Sequence, residues 1–231
     1  HEDIGFISHG YYYYDQTKFT LCKLSSRKDA KVTYIELYSN RIAIDQLYQD
    51  SAYRFIYLES GHILGLILPV LMQLKLSYSI EVIDIFDTDN PNLHKLLRLN
   101  LNNNSNGITE IKKPSITYLV NNELNFEDTD SNFSFNFNAM DCFTQISQLG
   151  SILRSSAMII EFLGKNDIHS YVQSGYYQQL LSQQLNQIGI GSCSLGLIIS
   201  ERSNYLLSVG YISRDELHKM QSQEILLKLK D

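Results

Sequence analysis

Two stretches of the chain repeat hydrophobic residues at helical spacing. Within 166–188, Tyr177, Leu181, Leu185 and Ile188 recur at steps of four, four and three, which puts them on one face of a helix. Gln178, Gln179, Gln183, Gln184 and Gln187 fill much of the remainder. Gly189 and Gly191 then end the helix, because glycine adopts the left-handed closing conformation without steric penalty. A small-residue run, Ser192-Cys193-Ser194, leads to Gly196 and the apolar Leu197-Ile198-Ile199. Side chains this small let a ligand approach the backbone. The second stretch, 51–76, is apolar nearly all round, so it is expected to be the most buried element, kinked at Pro69. Its longest apolar run, Gly61 to Leu74, covers about fourteen residues against the twenty or so that a bilayer needs. That length predicts a core helix and no membrane partner.

Elsewhere the period is two. Residues 10–24 alternate through Tyr11–Tyr14, turn at Asp15-Gln16 and continue with Phe19, Leu21 and Leu24, which predicts a β-hairpin. Lys31–Tyr38 is compatible with a short helix or a strand. Tyr78–Phe86 reads as a strand, Asn92–Leu97 as a short helix after Pro91, and the asparagine-rich 99–107 as a linker. Ser115–Val120 predicts a strand, and so does the alternation of Phe133, Phe135 and Phe137. Met140 to Arg154 reads as helical and Ala157–Leu163 as a buried strand. The fold class expected is therefore α+β.

An internal repeat organises these elements. Shifted by 114 residues, 57–74 (YLESGHILGLILPVLMQL) lies over 171–188 (YVQSGYYQQLLSQQLNQI). Tyr57/Tyr171, Ser60/Ser174, Gly61/Gly175, Leu66/Leu180, Leu71/Leu185 and Gln73/Gln187 are identical pairs. The repeat divides the chain into 1–105 and 106–231, with two central helices whose Gly61 and Gly175 suit a close approach.

The 231 residues suffice for one large domain or two small ones. A formal charge of −6 and the lack of any Lys/Arg cluster exclude a nucleic-acid backbone as the main partner. Cys22, Cys142 and Cys193 are far apart, with no metal-ligand spacing, and fit a reduced, cytoplasmic compartment. No signal segment is read at His1-Glu2-Asp3. Glu127-Asp128-x-Asp130 lacks the spacing of a calcium loop. His62 and His169 flank the repeated helices and read as structural. Cys193 has no histidine near in sequence to activate it and reads as a small core residue.

Three patches carry a resemblance. The run Ser174-Gly175-Tyr176 with Gln179 and Leu181, followed by Gly189-Ile190-Gly191-x-Cys193-x-x-Gly196, resembles the central helix and following loop of the FMN-dependent nitroreductase superfamily. It is most similar to the thiazole/oxazole-forming peptide oxidases (SagB-type) and the oxidase domains of nonribosomal peptide synthetases. The tyrosine hairpin is similar to one in that branch. Tyr53, Arg54, Leu58, Glu59 and Gly61 match its Tyr-Arg-x-x-x-Leu-Glu-x-Gly segment. The resemblance implies an antiparallel or mixed sheet with paired central helices, either in a homodimer or in an intrachain pseudo-dimer of two related halves. It also implies FMN held by the backbone of Gly189, Ile190, Gly191, Ser192, Cys193 and Gly196.

Arg202 would meet the phosphate, as a guanidinium does well; its other reading is a solvated arginine after Glu201. The activity implied is oxidation of a peptide- or carrier-protein-bound azoline to an azole, removing a carbon-bound proton and a hydride. Tyr48 falls where the branch has a catalytic tyrosine, with packing against the core as its other reading. Leu47 stands in place of the adjoining lysine. Glu59 reads as a helix-start carboxylate on the dipole. The superfamily's N-terminal arginine motif and Tyr-Pro-Ser-Gly-Gly segment have no match, and Lys75-Leu76-Ser77 replaces the glycine turn in the first half. The alternative is a flavin-free pseudo-oxidase acting as a scaffold or peptide-binding partner.

Overall fold

The computed structural model describes residues 10–15, 20–26, 33–87, 90–101, 108–122, 125–128, 134–136, 156–195 and 201–210. The helix expected over 140–154, Phe133, Phe137, Cys142, Gly196 and the apolar 197–199 lie outside them. Strands β1 (Gly10–Asp15) and β2 (Thr20–Ser26) form the expected antiparallel hairpin. Next come β3 (Tyr34–Asn40), α1 (Arg41–Tyr48), a 3-10 turn and the long helix α2 (Ala52–Gln73). The helix pair is followed by β4 (Ser79–Phe86) and β5 (Leu93–Asn100). The remainder comprises β6 (Ser115–Asn122), β7 (Asn125–Asp128), β8 (Ser134–Asn136), β9 (Met158–Leu163), α3 (Ile168–Gln187), β10 (Gly191–Leu195) and β11 (Ser203–Gly210).

The two halves share a connectivity. In the first, β3, α2, β4 and β5 follow one another, and β5 lies between β3 and β4. In the second, β9, α3, β10 and β11 follow one another, and β11 lies between β9 and β10. Every one of these pairings is antiparallel. Leu97 of β5 faces Leu37 and Val82, while Leu207 of β11 faces Ile160 and Ser194, so Leu97 and Leu207 hold matching places. β6, β7 and β8 extend the second sheet beyond β9.

The helices cross at the repeated glycines. A methyl group on Gly61 would strike the Val172 carbonyl and come within 2.7 Å of the Tyr176 amide; one on Gly175 would strike the Leu58 carbonyl. Shifted by 114, Gly61 becomes Gly175 and Leu58 becomes Val172, so the two contacts are reciprocals, as in a twofold interface. The close approach anticipated from the repeat is present.

Several expectations change. Asn92–Leu97 is no helix but part of the central strand β5. Leu93, Leu96 and Leu97 mimic helical spacing because a ladder irregularity skips Leu96 and breaks the alternation of β5. β11, which no pattern announced, is the most buried element: Ser203 to Val209 are buried without a break. α2 is buried on one side only, with Ile63, Leu66, Val70 and Met72 exposed on the other. It continues through Pro69 to Gln73. By length and composition Arg41–Gln73 would suffice to cross a membrane, yet 50% of its most apolar window is buried within the fold. In α3 the buried residues are Tyr171, Val172, Ser174, Gly175 and Gln178, whereas Tyr177, Leu181 and Leu185 are half-buried and Ile188 is exposed. Packing at a close helix crossing selects small residues, so the hydrophobic stripe marked a different face. Glu59 lies two turns inside α2, not at its start, and pairs with His62 at 3.5 Å.

Candidate functional site between α2, α3 and the β10–β11 edge

The stretch read as a ligand loop is a tight turn followed by an edge strand. α3 ends with the Gly189 and Ile190 amides donating to Asn186 and Leu185. Gly189 has φ +77°, and a side chain there would meet nothing within 4 Å, so its glycine serves the turn and the space above it is open. Gly191, Ser192 and Cys193 belong to β10, paired with Gly210, Val209 and Ser208 of β11. Among the described residues β10 ends the sheet, so its other edge presents backbone donors and acceptors that β11 does not engage.

Behind that edge lies a polar seam. Gln178 of α3 is 2% exposed, and its Nε2 donates to Ser194 Oγ at 2.7 Å and Ser182 Oγ at 3.0 Å. Its Oε1 is buried with no partner, as is Nε2 of His62 on α2. His62 packs beside the ring of Tyr205, with centroids 5.4 Å apart, and the Tyr205 hydroxyl is hydrogen-bonded with Ser194. Burial pushes the Tyr205 phenol up to about 12, so it stays a proton donor. Burial pulls the Arg54 guanidinium down, against the opposing influence of the nearby Tyr171 and Tyr205 oxygens. Arg54 also sits over Phe55, 4.9 Å from the ring centroid. Hydrogen bonding from His62 holds Glu59 below the usual carboxylate range despite burial. Burial raises the Cys193 thiol, which argues against a thiolate nucleophile.

Tyr48 closes α1 and is 44% exposed, so it is not a core tyrosine; its ring packs on Phe55 at 4.3 Å. Among the described residues no hydrogen bond or ring contact joins Tyr48 to the β10 seam. Arg202 lies beyond the Leu195–Leu206 end of the β10–β11 ladder, three residues from Tyr205. Arg202 is an exposed turn residue whose carbonyl accepts from the Gly164 amide, at the α3 N-terminal end. The eight steps of β11 from Arg202 to Gly210, the partner of Gly191, span roughly 26 Å. Arg202 thus lies far from the Gly191 end of β10 and nearer its Leu195 end.

Sequence reading missed a second constellation. Asp84, in a β4 irregularity with φ +50°, accepts hydrogen bonds from Tyr57, from Tyr53 at 3.2 Å and from His94 Nε2 at 2.8 Å. His94 is 2% exposed and stacks on Phe86 with centroids 4.5 Å apart. Burial works to raise Asp84, but the Tyr57, His94 and Tyr53 donors hold it below the usual range. These residues are distant in sequence and show no motif spacing. Among the described residues no three His, Cys, Asp or Glu side chains converge on a metal site.

No family model and no curated protein matches the chain. One solved structure does: a candidate nitroreductase from Anabaena variabilis, 11% identical, with a TM-score of 0.58 over 90% of this chain and 78% of that one. The fold is nitroreductase-like. At that identity the likeness concerns backbone architecture, and it supports the antiparallel α+β arrangement with paired central helices.

Proposed function

We propose that this nitroreductase-like chain is a flavin-dependent oxidoreductase that takes FMN against the outer edge of β10. The observation that carries the reading is the fold, shared over 90% of the chain, with the Gly-Ile-Gly turn set between the paired central helices and an open strand edge. The orphaned His62 Nε2 behind that edge fits a hydrogen-bonding ring system. FMN would supply the hydride-accepting ring; the chain would supply orientation and electrostatics. Ile190, Gly191, Ser192 and Cys193 would contact it through the backbone, and Tyr48 would take the substrate proton. The proposed substrate is a peptide- or carrier-bound azoline, oxidised to an azole in a cytoplasmic pathway. The matching halves and the reciprocal glycine contacts support an intrachain pseudo-dimer.

One observation favours a second reading, the flavin-free scaffold. Arg202, the cation assigned to the phosphate, lies at the other end of the β10–β11 ladder. The visible spectrum of protein desalted after incubation with FMN separates the two. A retained flavin band that bleaches on reduction and is lost in Gly191→Val supports the oxidoreductase. If Arg202→Ala leaves that band intact, the phosphate is held elsewhere. Absence of flavin at any FMN excess leaves the scaffold.

A further inference from the structure

The two halves place different chemistry at matching positions. In the first half, Leu64 and Leu68 of α2 and Ile80 of β4 are no more than 3% exposed. Together with half-buried Val82 they belong to one hydrophobic cluster. The pocket beside Ile80 and Val82 is about 30 Å³, room for a single water, and the Ile108 backbone bridges Ile80 at 2.7 and 2.8 Å. In the second half, the 114-residue shift converts Leu64 and Leu68 into Gln178 and Ser182. The sheet registers likewise convert Ile80 and Val82 into Ser192 and Ser194. Four apolar positions have become four uncharged hydrogen-bonding ones.

The second-half arrangement is incomplete on its own. The Gln178 carboxamide is buried, yet only one of its ends is bonded. Turning the amide over changes which atom is bonded but not the count, because Ser182 and Ser194 hydroxyls either donate or accept. A buried amide half without a partner is unfavourable, and a leucine of the first-half kind would avoid that. Ser194 shares the sheet face of Tyr205, a buried residue, yet is itself exposed, so solvent enters the seam at this point. The charged groups that act on Tyr205 are Glu59 and Arg54, of opposite sign, so the seam favours neither anions nor cations.

We propose that Gln178, Ser182, Ser192 and Ser194 form a binding crevice for an uncharged carboxamide, the kind of group a peptide backbone presents. The N–H of that group donates to the free Gln178 Oε1. This crevice stands whether or not the chain holds flavin, so it survives failure of the oxidoreductase reading.

The test is an NMR titration of the full chain with N-acetylglycine amide, with acetate as the charged control. The Gln178 side-chain amide and the Ser192 and Ser194 backbone amides should shift saturably with the neutral probe and not with acetate. Gln178→Leu, which installs the first-half residue, should abolish the shifts and raise Tm by about 3 °C, because it removes the unpaired amide. Ser194→Val, a milder change at an exposed position, should weaken the probe about tenfold. The proposal is overturned by any of three results: no saturable shift in the native chain, a shift that persists in Gln178→Leu, or a lower Tm for that variant, which would mark Gln178 as a structural bridge.

Discussion

The halves of this molecule share a strand order and a helix crossing, and they differ in how they fill the space around that crossing. The first half fills its groove with leucine, isoleucine and valine and places its polar chemistry at a charged hub, where Tyr53, Tyr57 and His94 converge on Asp84. The second half has Tyr171 in the place of Tyr57 and, by the strand registers, buried Tyr205 in the place of His94. Its groove is polar and partly unsatisfied instead. The difference teaches that backbone architecture is held by what the halves have in common, the glycine crossing and the matching central-strand leucines Leu97 and Leu207. Ligand chemistry belongs to what they do not share. Stability and binding should therefore respond to different residues.

The shared part should give the largest effects. Gly61→Ala and Gly175→Ala each drive a methyl group into a backbone carbonyl, and backbone across a helix crossing has little room to yield. Each substitution should destabilise by about 3 kcal/mol, and the reciprocity of the contacts predicts that the two losses agree, as read by denaturant unfolding. Gly65→Ala meets Gln179 Cβ at 2.7 Å and the Tyr176 carbonyl at 3.1 Å, looser contacts than at 61 and 175, and should lose ~2 kcal/mol. Unequal losses at 61 and 175 would break the twofold picture.

The charged hub should come next. Asp84→Asn removes the carboxylate that satisfies a buried histidine and two tyrosines, and should lower stability by ~2 kcal/mol. Because the folded Asp84 titrates below its ordinary value, its contribution is present above about pH 3.9 and is lost as pH falls through the folded value. The Asn variant should therefore show a flatter acid limb than the native chain when stability is followed against pH.

Much of this architecture was legible in the sequence, and the failures have a common cause. The hairpin, β4, β6, β9, both long helices and the glycine crossing follow from period and repeat. The β5 and β11 strands did not: β11 is buried on both faces and carries no alternation, while the irregularity at Leu96 lets Leu93, Leu96 and Leu97 imitate a helix. Spacing on α3 picked out Tyr177, Leu181 and Leu185, while the contact with α2 runs through glycine and serine, residues that hydrophobic period ignores. The Gly-Ile-Gly motif was visible, but its partners Gln178 and Tyr205 and the whole Asp84 hub are assembled by tertiary contacts between separate elements. Arg202 was named from its residue type; its distance from the turn depends on the length of β11, which had not been recognised as a strand.

The smallest effect sharpens the comparison at the seam itself. Tyr205 is folded with its phenol pushed up to about 12, against about 10 in an unfolded chain. A raised acid of this kind stabilises the fold fully below pH 10. That contribution is lost as pH climbs toward 12, because the unfolded state releases its proton first. The strand registers set His94 at the matching place on β5, so this tyrosine-dependent alkaline loss belongs to the second half alone. Tyr205→Phe removes the ionisation together with the hydroxyl bonded to Ser194, and should cost about 1 kcal/mol at neutral pH. At alkaline pH it should recover part of that deficit, so the native and variant curves converge above pH 10, read by circular dichroism alongside phenolate absorbance. Parallel curves would mean that Tyr205 ionises as readily folded as unfolded. The seam would then be open to water at its base, and the burial that makes Gln178 unusual would be lost with it.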